Sequence, residues 1–490
     1  MRETLRSTLR KAGVAALAAM LCGCSVGPDF EPPDPKLPQK SFFGRPEPAA
    51  PDPDRPPSLD AKWWRQFKDP TLSSLIDRVA EVNLDVRVAT ERLWESRAER
   101  NSAASALLPT VNSSAQYTRQ LMSQNGLIAL GSAFNQGKPL PYIPAFGLWQ
   151  AGFDASWEID LWGHVRRQVE SAEAQVESAE FHARDTLVAS IAELARDYAE
   201  LRGAEAQLAI LKANLASAEE ILELTKTRAK GGLVTYLDVE NASAQVESTR
   251  AQLPPLQSQE SALIDAIGRL LDQPPQALRG ELSHTGSLLF TPPHPPVGLA
   301  SDLARRRPDI RRAEADLHAA TANIGVAVAE FYPSFKFNGS VGASALDARK
   351  FFEGHSFQYQ IGPSVTVPIF DAGRLKSQLE LRDSQAREAA INYHKTVLAA
   401  WTEVVDALVA YRAEEARHGR LKAQAAHERE ALSLARARYR TGVSPFINVL
   451  DAQRSTLQAE LQAVQSRTTV ATNFVTLYKA LGGGWEEALP

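Results

Sequence analysis

Two stretches of the chain, His164 to Lys230 and Arg374 to Thr441, contain no proline and a single glycine each, Gly203 and Gly419. At roughly 1.5 Å per residue each predicts a helix about 100 Å long. Leu187, Leu194, Leu201, Leu208, Leu215 and Leu222 fall every seven residues, with Ile191 and Tyr198 at the intermediate position, which is the seam of a coiled coil. The remaining positions are largely Ala, Glu, Arg and Gln, so the packed stripe is narrow and at least one side faces water.

Elsewhere the hydrophobic period changes from helical to two. In 149–159 the odd positions read Trp149, Ala151, Phe153, Ala155, Trp157 and Ile159 against Gln150, Gly152, Asp154, Ser156 and Glu158. Segments 335–345 and 357–369 alternate in the same way, through Phe335, Phe337 and Val341 and through Phe357, Tyr359, Ile361 and Val365. A weaker run, 110–118, sets Val111, Ala115 and Tyr117 against Asn112, Ser114 and Gln116. Strands of about ten residues with one apolar face have the length of tilted membrane strands. A sheet half-buried on a protein core would show the same alternation. In a membrane, four strands are too few to close a barrel, and an open edge is not tolerated in lipid. Two chains would supply eight strands and three would supply twelve, enough for a water-filled lumen.

These elements recur. Gly163 matches Gly373, Glu193 matches Glu403, Arg202 matches Arg412, Gly232 matches Gly442, Val239 matches Val449 and Leu271 matches Leu481, all at an offset of 210. Leu108-Pro109 matches Tyr332-Pro333 at 224, so the first half carries 14 extra residues between these landmarks. Each half predicts a helix (about 71–107 and about 299–331), two strands, a very long helix, a glycine turn and a further helix. The fold class expected is α+β, with long helices and four strands per chain. The divisions expected are 1–23, 24–70, 71–297 and 298–490.

Composition and charge add an address. Arg2, Arg6, Arg10 and Lys11 precede the apolar run Ala12 to Leu21, which is too short to span a bilayer and reads as an export signal. It ends in Leu21-Cys22-Gly23-Cys24, a sequence similar to the bacterial lipoprotein signal, in which Cys24 becomes the acylated first residue of the mature chain. An ordinary signal peptide with incidental cysteines is the alternative. Ser25 in the second position is similar to the default for outer-membrane sorting. Removing 1–23 takes away four bases and one acid, moving the formal net charge from −4 to −7. Residues 25–60 are rich in Pro and Asp, a tether composition. No basic stripe with aromatics suggests nucleic acid.

The stretch Arg306-Arg307-Pro308-Asp309-Ile310-Arg311-Arg312-Ala313-Glu314, with Ala322-Asn323-Ile324-Gly325 and Phe331-Tyr332-Pro333-Ser334, resembles the outer-membrane factors of resistance-nodulation-division efflux systems. Pro368-Ile369-Phe370-Asp371-Ala372-Gly373-Arg374, Glu158-Ile159-Asp160-Leu161-Trp162-Gly163 and Val449-Leu450-Asp451-Ala452-Gln453-Arg454 carry the same resemblance. Gly27-Pro28-Asp29-Phe30 and Trp63-Trp64 are similar to its lipoprotein branch, the NodT/OprM-like part of the TolC superfamily. The resemblance covers essentially the whole mature chain. It implies a homotrimer with a twelve-stranded outer-membrane barrel, a twelve-helix periplasmic barrel and an equatorial belt, where the Pro254-Pro255 break would lie. It also implies a periplasmic adaptor and an inner-membrane pump as partners, and an acyl anchor in outer-membrane lipid.

The site expected is a gate and not a catalytic centre. The turns Lys230-Gly231-Gly232-Leu233 and Arg440-Thr441-Gly442-Val443-Ser444-Pro445 are expected at the periplasmic tip, where Gly231, Gly232, Gly442 and Val443 would meet the adaptor. Ser444-Pro445 reads as an N-cap with proline at the first helical position. By resemblance Ile447 and Asp451 narrow the closed pore and Arg454 helps latch it. Three Asp451 carboxylates on one axis would attract cations and repel each other, and an Ile447 ring would hinder water. Asp451 as a solvated surface residue is the alternative. Asp238 is a weaker gate candidate, because Thr235-x-x-Asp238 also reads as a capping box.

Catalytic motifs are not found. The nine histidines form no His-Glu-x-x-His and no Cys/His metal spacing, so no metal, cofactor or catalytic residue is expected. Gly339-Ser340-Val341-Gly342 is preceded by Asn338 where a serine-nucleophile turn needs glycine. Only Met122 would remain after signal removal, which disfavours a methionine route for soft copper or silver ions. A type I protein-secretion duct and a purely structural coiled-coil lipoprotein are the competing readings; the second predicts no amphipathic strands.

Overall fold

The computed structural model describes residues 25–35, 62–123, 144–283 and 306–485. The acylation candidate Cys24, the proposed signal, most of the 24–70 tether and residues 299–305 of the second expected first helix lie outside them. The chain forms two compact units, each drawing on both halves of the sequence.

The first unit comprises the described residues of 1–32, 95–176 and 315–390 and contains one antiparallel sheet in the order β1 (Thr110–Gln120), β2 (Phe146–Ile159), β3 (Ser334–Ala345), β4 (Phe357–Thr366). Directly opposed residues share a face, so the register gathers the odd positions into rows: Ser113, Phe153, Val341 and Tyr359, then Val111, Ala155, Gly339 and Ile361. The even positions form the opposite face, with Asn112, Asp154, Ser340 and Gln360 in one row. There Asn112 donates to Asp154 (3.3 Å), and Asn338 accepts from Ser156 (3.0 Å) and donates to Ser364 (3.0 Å). β4 stops at Thr366 rather than at Ile369, just before Pro368, whose nitrogen has no proton to donate. Pro363 lies inside β4, the outer strand of this chain's own sheet, opposite Phe337 of β3.

A strap follows the acylation candidate in sequence. Gly27 (φ 92°) lies so close to Gly325 that a β-carbon would sit 2.5 Å from the Gly325 Cα. Arg167 pairs with Asp29 (2.6 Å) and Phe30 stacks on His318 at 4.3 Å. The Gly-Pro-Asp-Phe sequence is thus a docking segment.

The second unit comprises the described residues of 33–94, 177–314 and 391–490. The expected helix over 71–107 is two helices, α1 (Pro70–Val82) and α2 (Leu84–Ser105). Asn83 divides them: its extended backbone ends α1, its side chain accepts from the amides of Asp85 and Val86, and its amide donates to the Leu270 carbonyl. The long helices are α3 (His164–Lys230) and α8 (Arg374–Arg440), each of 67 residues and displaced by 210 at both ends. Two helices follow α3, α4 (Tyr236–Ala251) and α5 (Leu253–Leu270), with a four-residue α6 (Arg279–Leu282) beyond. The second half carries α7 (Pro308–Ala329) and, after α8, the continuous α9 (Phe446–Ala480). Thus α9 spans 446–480 where α4 and α5 together span 236–270. Pro254 and Pro255 cause the interruption at Gln252, and their counterparts Val464 and Gln465 permit an unbroken helix.

Leu187, Leu194, Leu201 and Leu208 are buried as the seven-residue pattern requires, but Leu215 and Leu222 are only half-buried. Burial passes to Leu211, Ala218, Ile221 and Thr225, since a strict heptad drifts around a straight helix by about 20° per repeat. Trp63 stacks on Tyr478 at 5.3 Å, and Phe67 and Tyr411 pack on Phe474. Buried Tyr198 donates to Asp69 (2.9 Å), which also caps α1, and accepts from Arg202 (3.0 Å). Burial pushes the Tyr198 hydroxyl up to about 12. Arg307 of the Arg-Arg-Pro-Asp motif is buried, donating to the Ala480 carbonyl at the end of α9 and pairing with Asp309 and Glu403.

Burial, reinforced by Asp309, raises the nearby Asp185 carboxyl despite Arg307 and Arg312. A raised folded value adds stability below the unfolded value, near 4, and loses it as pH rises. Asp185→Asn should therefore raise the thermal midpoint at pH 7.5, with the gain shrinking towards pH 4. Thermal scans at the two pH values check this, and a lower midpoint at pH 7.5 contradicts it.

Candidate functional site at the helical turns

The long helices end alike. In the first, the Leu233 amide donates to Arg228 (2.9 Å) and Gly232 to Ala229 (3.0 Å); in the second, Val443 donates to Arg438 (2.9 Å) and Gly442 to Tyr439 (3.0 Å). This is the Schellman closure, and it needs a left-handed residue next to last. Gly232 (φ 73°) and Gly442 (φ 75°) supply it. Gly231 and Gly232 of the expected tip are exposed, as are Gly442 and Val443.

The helices that follow begin differently. Thr235 caps α4, with its hydroxyl accepting from the Asp238 amide and Asp238 accepting from the Thr235 amide (3.1 Å) and hydroxyl (2.9 Å). Asp238 is thus engaged in the capping box. Ser444 is not the N-cap of α9: Pro445 holds that position at φ −69°, ψ 158°, one residue later than expected, and the Ser444 hydroxyl accepts from the Asn448 side chain (2.8 Å). An extended Pro445 fits its fixed φ and leaves Phe446 as the first helical residue.

Phe446, Val449 and Leu450 turn into a cluster with Ile221, Ala242, Leu432 and Tyr439. At offsets of four and seven, Ile447, Asp451 and Arg454 form an exposed stripe on the same helix. Ile447 is 46% exposed, and Asp451 has no hydrogen bond or ion pair among the described residues. Arg454 donates to the side chain of buried Gln245 on α4 (2.8 Å), and Gln245 donates on to Thr249. The structure therefore joins Arg454 to Gln245 and leaves Ile447 and Asp451 facing outward.

Further ties join the two hairpins, and these were not anticipated. Arg228 donates to the carbonyls of Tyr439 and Arg440 (both 2.8 Å), the last residues of α8, with its guanidinium 4.7 Å from the Tyr439 ring. Such carbonyls lack partners within the helix and favour a cation. Arg440 pairs with Glu220 (3.1 Å), and Arg436 donates to Ser217. Burial lowers the Arg436 guanidinium against the pull of Glu220. Within the first hairpin Glu219 pairs with Arg250 (2.8 Å); at the equivalent positions of the second, Arg429 pairs with Glu460. The charges have changed places between halves, a signal the offset of 210 could have exposed. Among the described residues no cluster of His, Cys, Asp and Glu could hold a metal ion.

A four-stranded sheet with one apolar and one polar face and two 67-residue helices ending in such turns are the features that the comparison with known proteins has to match. The family model described as outer membrane efflux protein matches residues 75–268 and 299–483, and the chain belongs to that family. Nodulation protein T of Rhizobium leguminosarum bv. viciae is 31% identical over 471 residues, covering 96% of this chain and 93% of that protein. The probable efflux pump outer membrane protein TtgC of Pseudomonas putida is 31% identical over 476 residues, covering 97% and 95%. The solved outer-membrane channel OprN shares the fold with a TM-score of 0.84 at 33% identity, covering 94% of this chain and 100% of that one. The chain is accordingly an outer-membrane protein of efflux transport.

The capping box separates two roles for Asp238. Asp238→Ala should cost about 1 kcal/mol of local helix stability and speed amide exchange in the first turn of α4. Channel conductance in a bilayer should stay the same, and a clear rise would make Asp238 a gate residue.

Proposed function

We propose that the chain is one third of a passive outer-membrane exit duct in a tripartite efflux pump. Three copies share a twelve-stranded barrel, their paired helices continue it as a periplasmic helical barrel, and the break at Pro254-Pro255 lies at its belt. The observation that carries this reading is the sheet. Among the described residues β1 and β4 each have one neighbour, so both outer edges are unpaired there, while Phe153, Tyr359 and Ile361 on the apolar face are 58%, 73% and 66% exposed. Closure with neighbouring chains would pair those edges, and lipid around the barrel would cover that face. The polar rows would line the lumen, and the connection 346–356 would be external, as would 119–147, most of which lies outside the described residues.

No residue performs chemistry in this duct; small molecules pass along it from an inner-membrane pump. The turns at Gly231-Gly232 and Gly442-Val443 receive a periplasmic adaptor, with Leu233 and Val443 exposed there. Ile447 and Asp451 narrow the pore from the exposed stripe of α9, and the bond from Arg454 to Gln245 latches that stripe to the first hairpin. Cys24 carries the acyl anchor, and the halves 71–297 and 298–490 are repeats of one ancestral unit, an interpretation supported by the displacement of 210 in the long helices.

Two variants test the gate and the anchor. Asp451→Ala should raise single-channel conductance in a planar bilayer severalfold, by replacing the side chains that narrow the pore with smaller ones, and unchanged conductance counts against the ring. Cys24→Ser should end incorporation of labelled fatty acid into the mature protein; continued labelling would refute the assignment.

A further inference from the structure

The polar face of the sheet carries few charges. Its even-numbered positions, from Thr110 to Gln120, Gln150 to Glu158, Ser334 to Ser344 and Gln358 to Thr366, are amides, hydroxyls and glycines with three exceptions, Asp154, Glu158 and Lys336. Glu158 and Lys336 stand opposite each other in the β2–β3 register and form an ion pair (3.6 Å), so their charges cancel. Asp154 is different. It is exposed in the interior of β2 between Asn112 and Ser340, and it accepts from the neutral Asn112 side chain (3.3 Å). No ion pair reaches it among the described residues. At the offset of 210 Ser364 stands in its place, so each chain brings one such carboxylate.

We propose that Asp154 makes the barrel itself a charge filter: three copies of its carboxylate, at one height around the lumen, favour small cations, protonated amines among them, over anions of similar size. This deepens the duct reading and rests on it, since the polar face must line a lumen shared by three chains. Twelve strands about 4.8 Å apart and tilted by about 40° enclose a barrel about 24 Å across between backbones. Its axis is about 12 Å from the wall, close to the Debye length of about 10 Å in 0.1 M salt and far beyond that of about 3 Å in 1 M. The three fields therefore overlap at the axis in dilute salt and are screened from it in concentrated salt. A carboxylate ring at a narrow tip, such as that of Asp451, stays within reach of every passing ion at either salt. Dependence on salt thus separates the barrel from the tip.

The test is the reversal potential of channels formed by the full-length protein in planar bilayers of neutral lipid, under a KCl gradient. Wild-type channels should prefer potassium to chloride. Asp154→Asn keeps the size of the side chain, and it should lower the permeability ratio at least about twofold near 0.1 M while changing it little near 1 M. The same loss should appear when Asp154→Asn is combined with Asp451→Ala. A second variant, Asp154→Cys, adds a charge in place: a cationic methanethiosulfonate should shift its ratio further towards chloride, and an anionic one should shift it back. Wild-type and variant channels with equal ratios near 0.1 M would overturn the filter and leave the duct standing, as would thiol reagents that move nothing. An equal loss at both salts would place the effect in a narrow constriction and overturn it too. A wild-type protein that forms no channel would remove the duct reading, and the filter with it.

Discussion

Backbone hydrogen bonding at the two ends of the sheet is the constraint on which the rest depends. β1 and β4 each turn a row of amide and carbonyl groups away from the one neighbour they have among the described residues. In water such an edge is a pairing hazard; in hydrocarbon each unpaired group costs several kcal/mol, on the order of 4–8 for complete desolvation. The faces leave little choice of surroundings, because one presents Phe153, Tyr359 and Ile361 and the other Asn112, Asp154 and Gln360. An apolar face, a polar face and two open edges together support the reading of this sheet as a sector of a barrel.

The helical elements obey the same rule of polar satisfaction. Each long helix ends with spare carbonyls, and Gly232 and Gly442 let the chain turn back to cover some of them. Arg228 donates to the Tyr439 and Arg440 carbonyls of α8, the first of which Gly442 also covers, and Arg307 donates to the Ala480 carbonyl at the end of α9. Narrow coiled seams supply little burial per residue, so positions are fixed by such ties as well as by Leu187, Leu194 and Leu201. An arrangement fixed by a few polar ties at its tip can change there without unpacking the seam above.

Much of this was legible in the residues, because the governing periods are long and clean. The long helices were bounded to within one residue, and the strand alternation gave the face of every residue once the register was known. Less local features were not. Asn83 divides a helix through a bond to Leu270, a partner almost two hundred residues away. The heptad count missed the shift of burial after Leu208, where a straight helix has drifted off the strict seven-residue repeat. Pro445 took the cap position expected for Ser444, because turn geometry selects between them. The stripe of Ile447, Asp451 and Arg454 was recognisable by spacing, whereas the Gln245 partner of Arg454 required the fold.

The central claim is that these four strands are a fraction of a barrel. Light scattering on the mature protein in detergent, with bound detergent measured and subtracted, gives the chain count directly. Three chains per particle is the predicted result. A stable monomer would leave both sheet edges open in the micelle and would contradict the shared barrel, and with it the duct.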